Sequence, residues 1–420
     1  MRVLLISLGT GPSVEHGIAY SIRHHKPDRV IYFATEQSVP TKARVEALLN
    51  GFVPKGEIVK IADGDDPNDI YRQACGVLNR LFRESGDIEV YVDFTSGTKA
   101  MSAGLFAAAL AYGVSNLIYV SGQRGPDGRV ISNTERVITF PPTEIFADRL
   151  YHQIVEFFNN GLFSAALRLI RQGLQEIHIP ERRRELEDLQ KLCSAYQAWD
   201  WFDHQEAHKH FEKIDKPIIE RWGEQIAHNK GWVAQIAKRP HCNADISECY
   251  GEPLLIDLWL NAKRRMTEGH WIDATARLYR LVELIAQFRL ARQYGLDTGK
   301  LDVTKLPEDL RSKYDRLRDQ RGRVKLGLEQ AYQLLADLND PLGQCYDERL
   351  KGALQARNES IAGHGLRPVT EDSSRRLAEC VRELMAQVIP NWEEQAQRGC
   401  FPSLPNKQES LPSRTSTAQQ

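Results

Sequence analysis

Short apolar runs alternate with helix-compatible runs over the first 140 residues, and this alternation is the strongest constraint on the fold. Residues 2–8, 29–34, 57–61, 88–92 and 116–121 are apolar or β-branched runs of strand length. Between them, 14–24, 42–49, 67–84 and 100–112 suit helices. Apolar strands separated by helices predict a parallel sheet covered on both faces. Residues 130–131 and 136–140 read as a terminal hairpin. The expected fold class for residues 1–145 is therefore an α/β, Rossmann-like domain. Ligands of such sheets sit beyond the carboxyl ends of the strands. Three polar segments collect there: 9–13, 35–38 and 95–99.

After Pro141 and Pro142 the strand pattern stops. Residues 146–159, 162–174, 181–201, 254–267, 271–294, 326–338, 346–362 and 371–388 carry helical spacing of apolar residues. An all-α region follows the sheet, divided into a helical spacer (146–252) and a second helical domain (253–395). The Ser-, Pro- and Gln-rich end, 396–420, is expected to be disordered. A chain of 420 residues fits such a multidomain reading.

The formal net charge is −1, so overall electrostatics do not attract nucleic acid, and any RNA binding must be local. The basic stretch from Arg311 to Lys325 is one local candidate, against a plain solvated face. The seven cysteines (Cys75, Cys193, Cys242, Cys249, Cys345, Cys380, Cys400) contain no CxxC pair, which indicates neither a zinc site nor a disulfide framework. His204, His208 and His210 read as a solvated helix face rather than a metal site. Trp199, Trp201, Trp222, Trp232, Trp259 and Trp271 read as core. Residues 1–8 are too short for a signal-peptide core, and no run approaches the ~18 apolar residues of a membrane span. A cytoplasmic protein is expected.

The segment from Tyr91 to Leu105 reads strand, turn, helix, with Thr95, Ser96, Thr98 and Lys99 at the junction. Helix-start N–H groups, hydroxyls and an ammonium suit a phosphorylated ligand. A dinucleotide reading places Gly9 and Gly11 after the first strand and Glu36 after the second. It fails because Val14 stands where the third glycine belongs and Pro12 lacks an N–H. A P-loop reading fails too: Gly97-Thr98-Lys99 has the wrong order, and Val92 occupies the earlier glycine position. Plain tight turns between strand and helix remain the alternative.

The run Asp93-Phe94-Thr95-Ser96-Gly97-Thr98-Lys99-Ala100-Met101, together with Ser7-Leu8-Gly9-Thr10, resembles the CARF (CRISPR-associated Rossmann fold) domain and its D-x-T-x-G-T-K-x-M turn. The resemblance implies a sensor of cyclic oligoadenylate, the ring made by the type III CRISPR interference complex. By position it implies that Gly9, Thr10, Gly11, Thr95, Ser96, Gly97, Thr98 and Lys99 hold the ring, with Glu36 and Gln37 reading adenine or ribose edges. A rotationally symmetric ring suits two pockets across a twofold axis, hence a homodimer.

A second cluster lies at Arg357, Asn358 and His364, followed by Gly365. Arg357 and His364 are seven positions apart, nearly two helical turns, so both can share one face, and Gly363 and Gly365 let the chain turn closely around His364. A surface arginine and a terminal histidine are the bland alternative. The cluster resembles the R-x(4–6)-H motif of HEPN ribonucleases. The run Ala276-Arg277-Leu278-Tyr279-Arg280-Leu281-Val282-Glu283 resembles the first core helix of accessory CRISPR ribonucleases with this architecture. This second resemblance implies a metal-independent endoribonuclease acting on single-stranded RNA, giving 2′,3′-cyclic phosphate and 5′-hydroxyl ends. The residue chemistry suits that: an imidazole moves a proton near neutral pH, and a guanidinium orients phosphate and stabilises developing charge. Asn358 would orient the histidine or the phosphate by hydrogen bonds. HEPN domains pair, so two copies would line one cleft. The competing reading is a non-enzymatic cyclic-nucleotide sensor whose helical half binds a protein or nucleic acid. It predicts Arg357 and His364 far apart, or Arg357 buried in an ion pair.

Overall fold

A computed structural model describes residues 1–84, 88–126, 130–131, 133–238, 246 and 250–405. Two units divide after Asp148: Met1–Asp148 and Arg149–Gln420.

The first unit is one six-stranded sheet with helices on both faces. Its elements are β1 (Arg2–Ser7), α1 (Val14–His25), β2 (Arg29–Ala34), α2 (Thr41–Ala47), β3 (Lys55–Lys60), α3 (Pro67–Glu84), β4 (Glu89–Asp93), α4 (Lys99–Ala111), β5 (Asn116–Ser121) and β6 (Arg136–Phe140). The strand order is β3-β2-β1-β4-β5-β6, with β1 to β5 parallel and β6 antiparallel to β5. This is a Rossmann arrangement, and its topological switch lies between β1 and β4. Residue alternation along β1 explains the two layers. Val3 and Leu5 pack with Ile70, Leu78, Met101 and Leu105 of α3 and α4. Leu4 and Ile6 pack with Ile18, Ile22 and Val45 of α1 and α2. All four β1 side chains are fully buried, each worth about 1.5–3 kcal/mol against exposure.

One expectation for this unit fails. Residues 136–140 do not pair with 130–131; they form β6 against β5, and Val130 makes only an isolated bridge to Arg124. An antiparallel β6 returns along the edge of β5 and leaves the intervening loop outside the sheet.

The second unit is helical: α5 (Thr143–Asn159, beginning in the first unit), α6 (Phe163–Glu176), α7 (Pro180–Asp200), α8 (His204–Glu212), α9 (Lys216–Trp222), α10 (Gln225–Ala237), α11 (Glu252–Thr267), α12 (Trp271–Tyr294), α13 (Glu308–Asp315), α14 (Leu328–Asp337), α15 (Glu348–Asn358), α16 (Glu371–Val388) and α17 (Trp392–Ala396). A buried polar network ties α7 and α8 to α11 and α12. Asp257 accepts hydrogen bonds from the Trp199 indole (2.8 Å) and the His204 imidazole (2.7 Å). Asp200 pairs with Arg264 (2.9 Å) and Arg265 (2.6 Å). Asn261 bonds both the Asp200 carbonyl and Arg277.

Three sequence expectations change here. His204 is buried against Asp257 rather than part of a solvated face, because it starts α8 and points into the network. Trp201 is 68 % exposed, whereas Trp199, Trp222, Trp232 and Trp259 are buried. The chain from 396 to 405, expected to open a disordered tail, is a packed strap. Phe401 lies 4.9 Å from Tyr196 and 4.7 Å from Trp199, Leu404 is buried, and Asn229 and Asn159 hydrogen-bond the strap backbone. An aromatic anchor and satisfied backbone groups outweigh its polar composition. Residues 406–420, Cys242 and Cys249 lie outside the described residues; Cys75, Cys193, Cys345, Cys380 and Cys400 are free thiols.

Candidate functional site

At the carboxyl end of the first unit's sheet, the loops after β1 and β4 are joined. The Gly9 N–H donates to the Ser96 hydroxyl at 3.1 Å, and the Ser7 hydroxyl donates to the Ser96 carbonyl. The approach is tight: a β-carbon on Gly9 would stand 3.1 Å from the Gly97 nitrogen and from the Ser96 hydroxyl. Gly97 itself has φ +88°, which disfavours any other residue. The Thr41 hydroxyl closes the Gly9 carbonyl at 2.9 Å. The loop after β3 also arrives here, a contributor with no sequence signal beyond Gly64. The Thr98 hydroxyl donates to the Gly64 carbonyl, and a Gly64 β-carbon would meet Thr35 at 2.9 Å.

The threonines at this junction are occupied. Thr95 accepts the Val120 N–H at 2.7 Å, pinning β5 to the turn. Thr98 caps α4, accepting the Met101 N–H at 3.1 Å. Ser96 is buried. The groups left facing solvent are Thr10, Gly11, Gly97, Thr98 and Lys99, with Glu36 and Gln37 at the turn after β2. Lys99 is exposed at the first position of the 13-residue α4, with no ion-pair partner among the described residues. The helix start adds partial positive charge there.

Beside this junction lies a cavity of about 310 Å³, lined by Gly11, Ser13, Asp93, Thr95, Ser96, Tyr119, Arg124 and Glu135 among others. Of the residues expected to bind a ligand, Gly11, Thr95 and Ser96 line it; Gly9, Thr10, Glu36, Gln37, Gly97, Thr98 and Lys99 do not. The sequence reading missed Asp93, Tyr119, Arg124 and Glu135. The parallel neighbour relation of β4 and β5 was the available signal. Asp93 ends β4, 1 % exposed. Burial raises its pKa, and the hydrogen bond from the Thr95 N–H (3.0 Å) offsets part of that rise.

In the second unit, α15 stops at Asn358 instead of continuing to 362. The shared-face argument for Arg357 and His364 therefore does not hold: a turn, not helical spacing, relates them. Ser360 is the reason. Fully buried, its hydroxyl donates to the Arg357 carbonyl at 2.8 Å, competing with the helix for that acceptor. The chain then folds back on the helix end. The His364 N–H donates to the Asn358 carbonyl (2.9 Å), Gly365 to Ser360 (3.2 Å), and Arg367 to Glu359 (2.9 Å). The fold-back is tight enough that a β-carbon on Gly365 would lie 1.9 Å from the Glu359 carbonyl oxygen. Sequence reasoning missed Ser360 as the organiser of this turn.

His364 and Asn358 are exposed, and Arg357 is half-buried. The Arg357 guanidinium lies over the Tyr279 ring, 4.6 Å from its centroid, and donates to the Asn358 side-chain oxygen at 3.3 Å. No acidic partner pairs with it among the described residues. The basic stretch from Arg311 to Lys325 is partly neutralised: of its seven cations, Lys313 pairs with Asp337, Arg318 with Asp315 and Arg323 with Asp319. Among the described residues, no group of three or more His, Cys, Asp or Glu is placed to hold a metal ion. Among the described residues, no helix is long and apolar enough to cross a membrane.

Comparison with known proteins bears on both halves. Residues 243–388 match the family model of the Csm6 HEPN domain, and residues 146–244 match the Csm6 6H domain. The segment read from sequence as a spacer thus corresponds to a domain in its own right. Among solved structures, Enterococcus italicus Csm6 bound to cyclic hexa-2′-fluoro-hexa-dAMP matches at 15 % identity, covering 94 % of this chain and 98 % of that one, with a TM-score of 0.57. That likeness is one of fold. A type III CRISPR defence DNA nuclease activated by cyclic oligoadenylate matches at 16 % identity over 49 % of this chain and 34 % of that one, TM-score 0.25. Can2 from Sulfobacillus thermosulfidooxidans, in complex with cyclic tetra-adenylate, matches at 14 % over 53 % and 69 %, TM-score 0.25. No curated protein matches the sequence. The two Csm6 domain models together run over more than half of the chain, behind a Rossmann-like unit with the predicted turn, and the chain belongs to the CARF–HEPN family of type III CRISPR accessory proteins.

Proposed function

We propose that this protein is a cyclic-oligoadenylate-activated endoribonuclease of type III CRISPR antiviral defence, cleaving single-stranded RNA without a metal ion. The observation that carries the proposal is the turn that brings His364 back onto Asn358, next to an Arg357 with no acidic partner among the described residues. His364 moves the proton between the RNA 2′-hydroxyl and the leaving 5′-oxygen. Arg357 stabilises charge on the phosphate, and Asn358 orients Arg357. Attack by the RNA's own 2′-hydroxyl breaks the P–O5′ bond, giving a 2′,3′-cyclic phosphate and a 5′-hydroxyl. The sensor reading expected Arg357 and His364 separated in space or buried in an ion pair; Arg357 has no ion-pair partner among the described residues, and the turn ties His364 to the end of its helix.

The activator is assigned to the sheet end. Backbone N–H groups of Thr10, Gly11, Gly97 and Thr98 and the Lys99 ammonium suit phosphodiesters; Glu36 and Gln37 sit at the same end for base or ribose edges. Homodimerisation is part of the proposal. Ile361 and Leu366, 68 % and 89 % exposed, flank His364 and gain from burial against a second copy. The domain assignment is 1–145 sensor, 146–252 helical and 253–395 ribonuclease, in the cytoplasm. The test is cleavage of single-stranded RNA in EDTA, with and without cyclic tetra- or hexa-adenylate. Cleavage stimulated by one ring is expected; no cleavage with either ring overturns the activation claim.

A further inference from the structure

We infer that Tyr279 is the residue that positions Arg357 for RNA cleavage, acting through the face of its ring; this rests on the ribonuclease reading above. Arg357 is distinctive among the arginines of its neighbourhood. Arg349 pairs with Glu383, Arg375 with Glu371, Arg376 with Asp372 and Arg382 with Glu393. The carboxylate nearest in sequence, Glu359, is held by Arg367 at 2.8 Å and by the Gln355 amide at 2.6 Å. Arg357 instead has two neutral partners, the Asn358 amide oxygen and the Tyr279 ring at 4.6 Å.

The choice of partner matters chemically. A carboxylate would occupy the N–H fork of the guanidinium and cancel its charge. An aromatic face attracts the cation through the ring quadrupole and fixes the plane of the group. It consumes none of the N–H donors, so the fork stays open for a phosphodiester. Tyr279 stands half-buried on the 24-residue α12, whose neighbouring Leu278 and Val282 are fully buried and anchor the helix. In the proposed scheme the ring, carried on an anchored helix, is the platform on which the guanidinium arrives at substrate pre-oriented. Tyr279 touches no reacting atom in this scheme; it acts through Arg357.

The test is steady-state cleavage of a single-stranded RNA by the full-length chain with cyclic oligoadenylate, comparing Tyr279→Leu, Tyr279→Phe and Arg357→Ala. A cation–π contact of the usual size predicts that Tyr279→Leu lowers kcat about tenfold, with KM for RNA moving less than about threefold. Tyr279→Phe, which keeps the ring face, is expected to restore most of the rate. Unchanged kcat in Tyr279→Leu, beside an inactive Arg357→Ala, overturns the inference and leaves the ribonuclease reading standing. Equal damage from Tyr279→Phe and Tyr279→Leu also overturns it, since the hydroxyl would then be the active feature. Full activity in Arg357→Ala overturns the ribonuclease site itself. Thermal unfolding is followed for each variant, and Tyr279→Met replaces Tyr279→Leu if the latter does not fold.

Discussion

The backbone N–H of His364 donates to the carbonyl of Asn358 at 2.9 Å, so the histidine is tied to the end of the helix that carries Arg357. The imidazole is placed by a turn rather than by helical periodicity, and the turn depends on its glycines. A β-carbon at Gly365 would collide with the Glu359 backbone at 1.9 Å. Gly365→Ala is therefore expected to lower RNA cleavage at least about tenfold, about 1.4 kcal/mol in the barrier, while ring binding measured by calorimetry stays unchanged. Unaltered cleavage would remove the turn from the account.

The sheet-end residues separate into two classes. Thr95 holds the Val120 N–H, so Thr95→Val is expected to cost about 1–3 kcal/mol of stability in denaturant unfolding. Lys99 has no ion-pair partner among the described residues, so Lys99→Ala is expected to weaken cyclic oligoadenylate binding about tenfold, the loss of one charge-assisted contact, with the unfolding midpoint unmoved. Reversed outcomes for the two variants would reassign their roles.

Asp93 gives a pH signature. Burial raises its folded pKa above the unfolded value, so the folded state holds the proton more tightly. The stabilisation from that proton is complete below the unfolded pKa of about 4 and is lost as pH rises through the folded pKa. Asp93→Asn has no such proton to lose. The stability of Asp93→Asn relative to the parent is therefore expected to rise as pH increases from about 4, read from unfolding midpoints across pH. A difference independent of pH would contradict this.

The buried network between α7, α8 and α11 is tested by Asp257→Ala. This change leaves the Trp199 indole and the His204 imidazole without their shared acceptor. A loss of about 3–5 kcal/mol is expected in denaturant unfolding. A loss below about 1 kcal/mol would mean that water replaces the carboxylate.

The layered sheet is legible in the sequence because buried parallel strands are continuous apolar runs, and β2, β5 and β6 have the expected limits. What the chain hides is set by contacts distant in sequence. The cavity takes Tyr119 from β5 and Arg124 from just beyond it, which no local motif marks. The end of α15 depends on one buried hydroxyl, Ser360, whose competition for a carbonyl leaves no periodic trace. The strap at 396–405 reads from its polar composition as the start of a disordered tail, yet Phe401 inserts between Tyr196, Trp199 and Arg264, a pocket assembled from α7 and α11. The Arg357-to-His364 motif is legible by residue type and spacing, and its glycines mark the close turn at His364; the helix end at Asn358 is not legible.

The central claim is that ring binding at the sheet end activates RNA cleavage by Arg357 and His364. The direct measurement is single-stranded RNA cleavage in EDTA by the parent chain and by Arg357→Ala combined with His364→Ala, each saturated with the activating cyclic oligoadenylate. The account predicts cleavage by the parent, with 2′,3′-cyclic phosphate ends, and loss of cleavage in the double variant with ring affinity retained. Full cleavage by the double variant would contradict it.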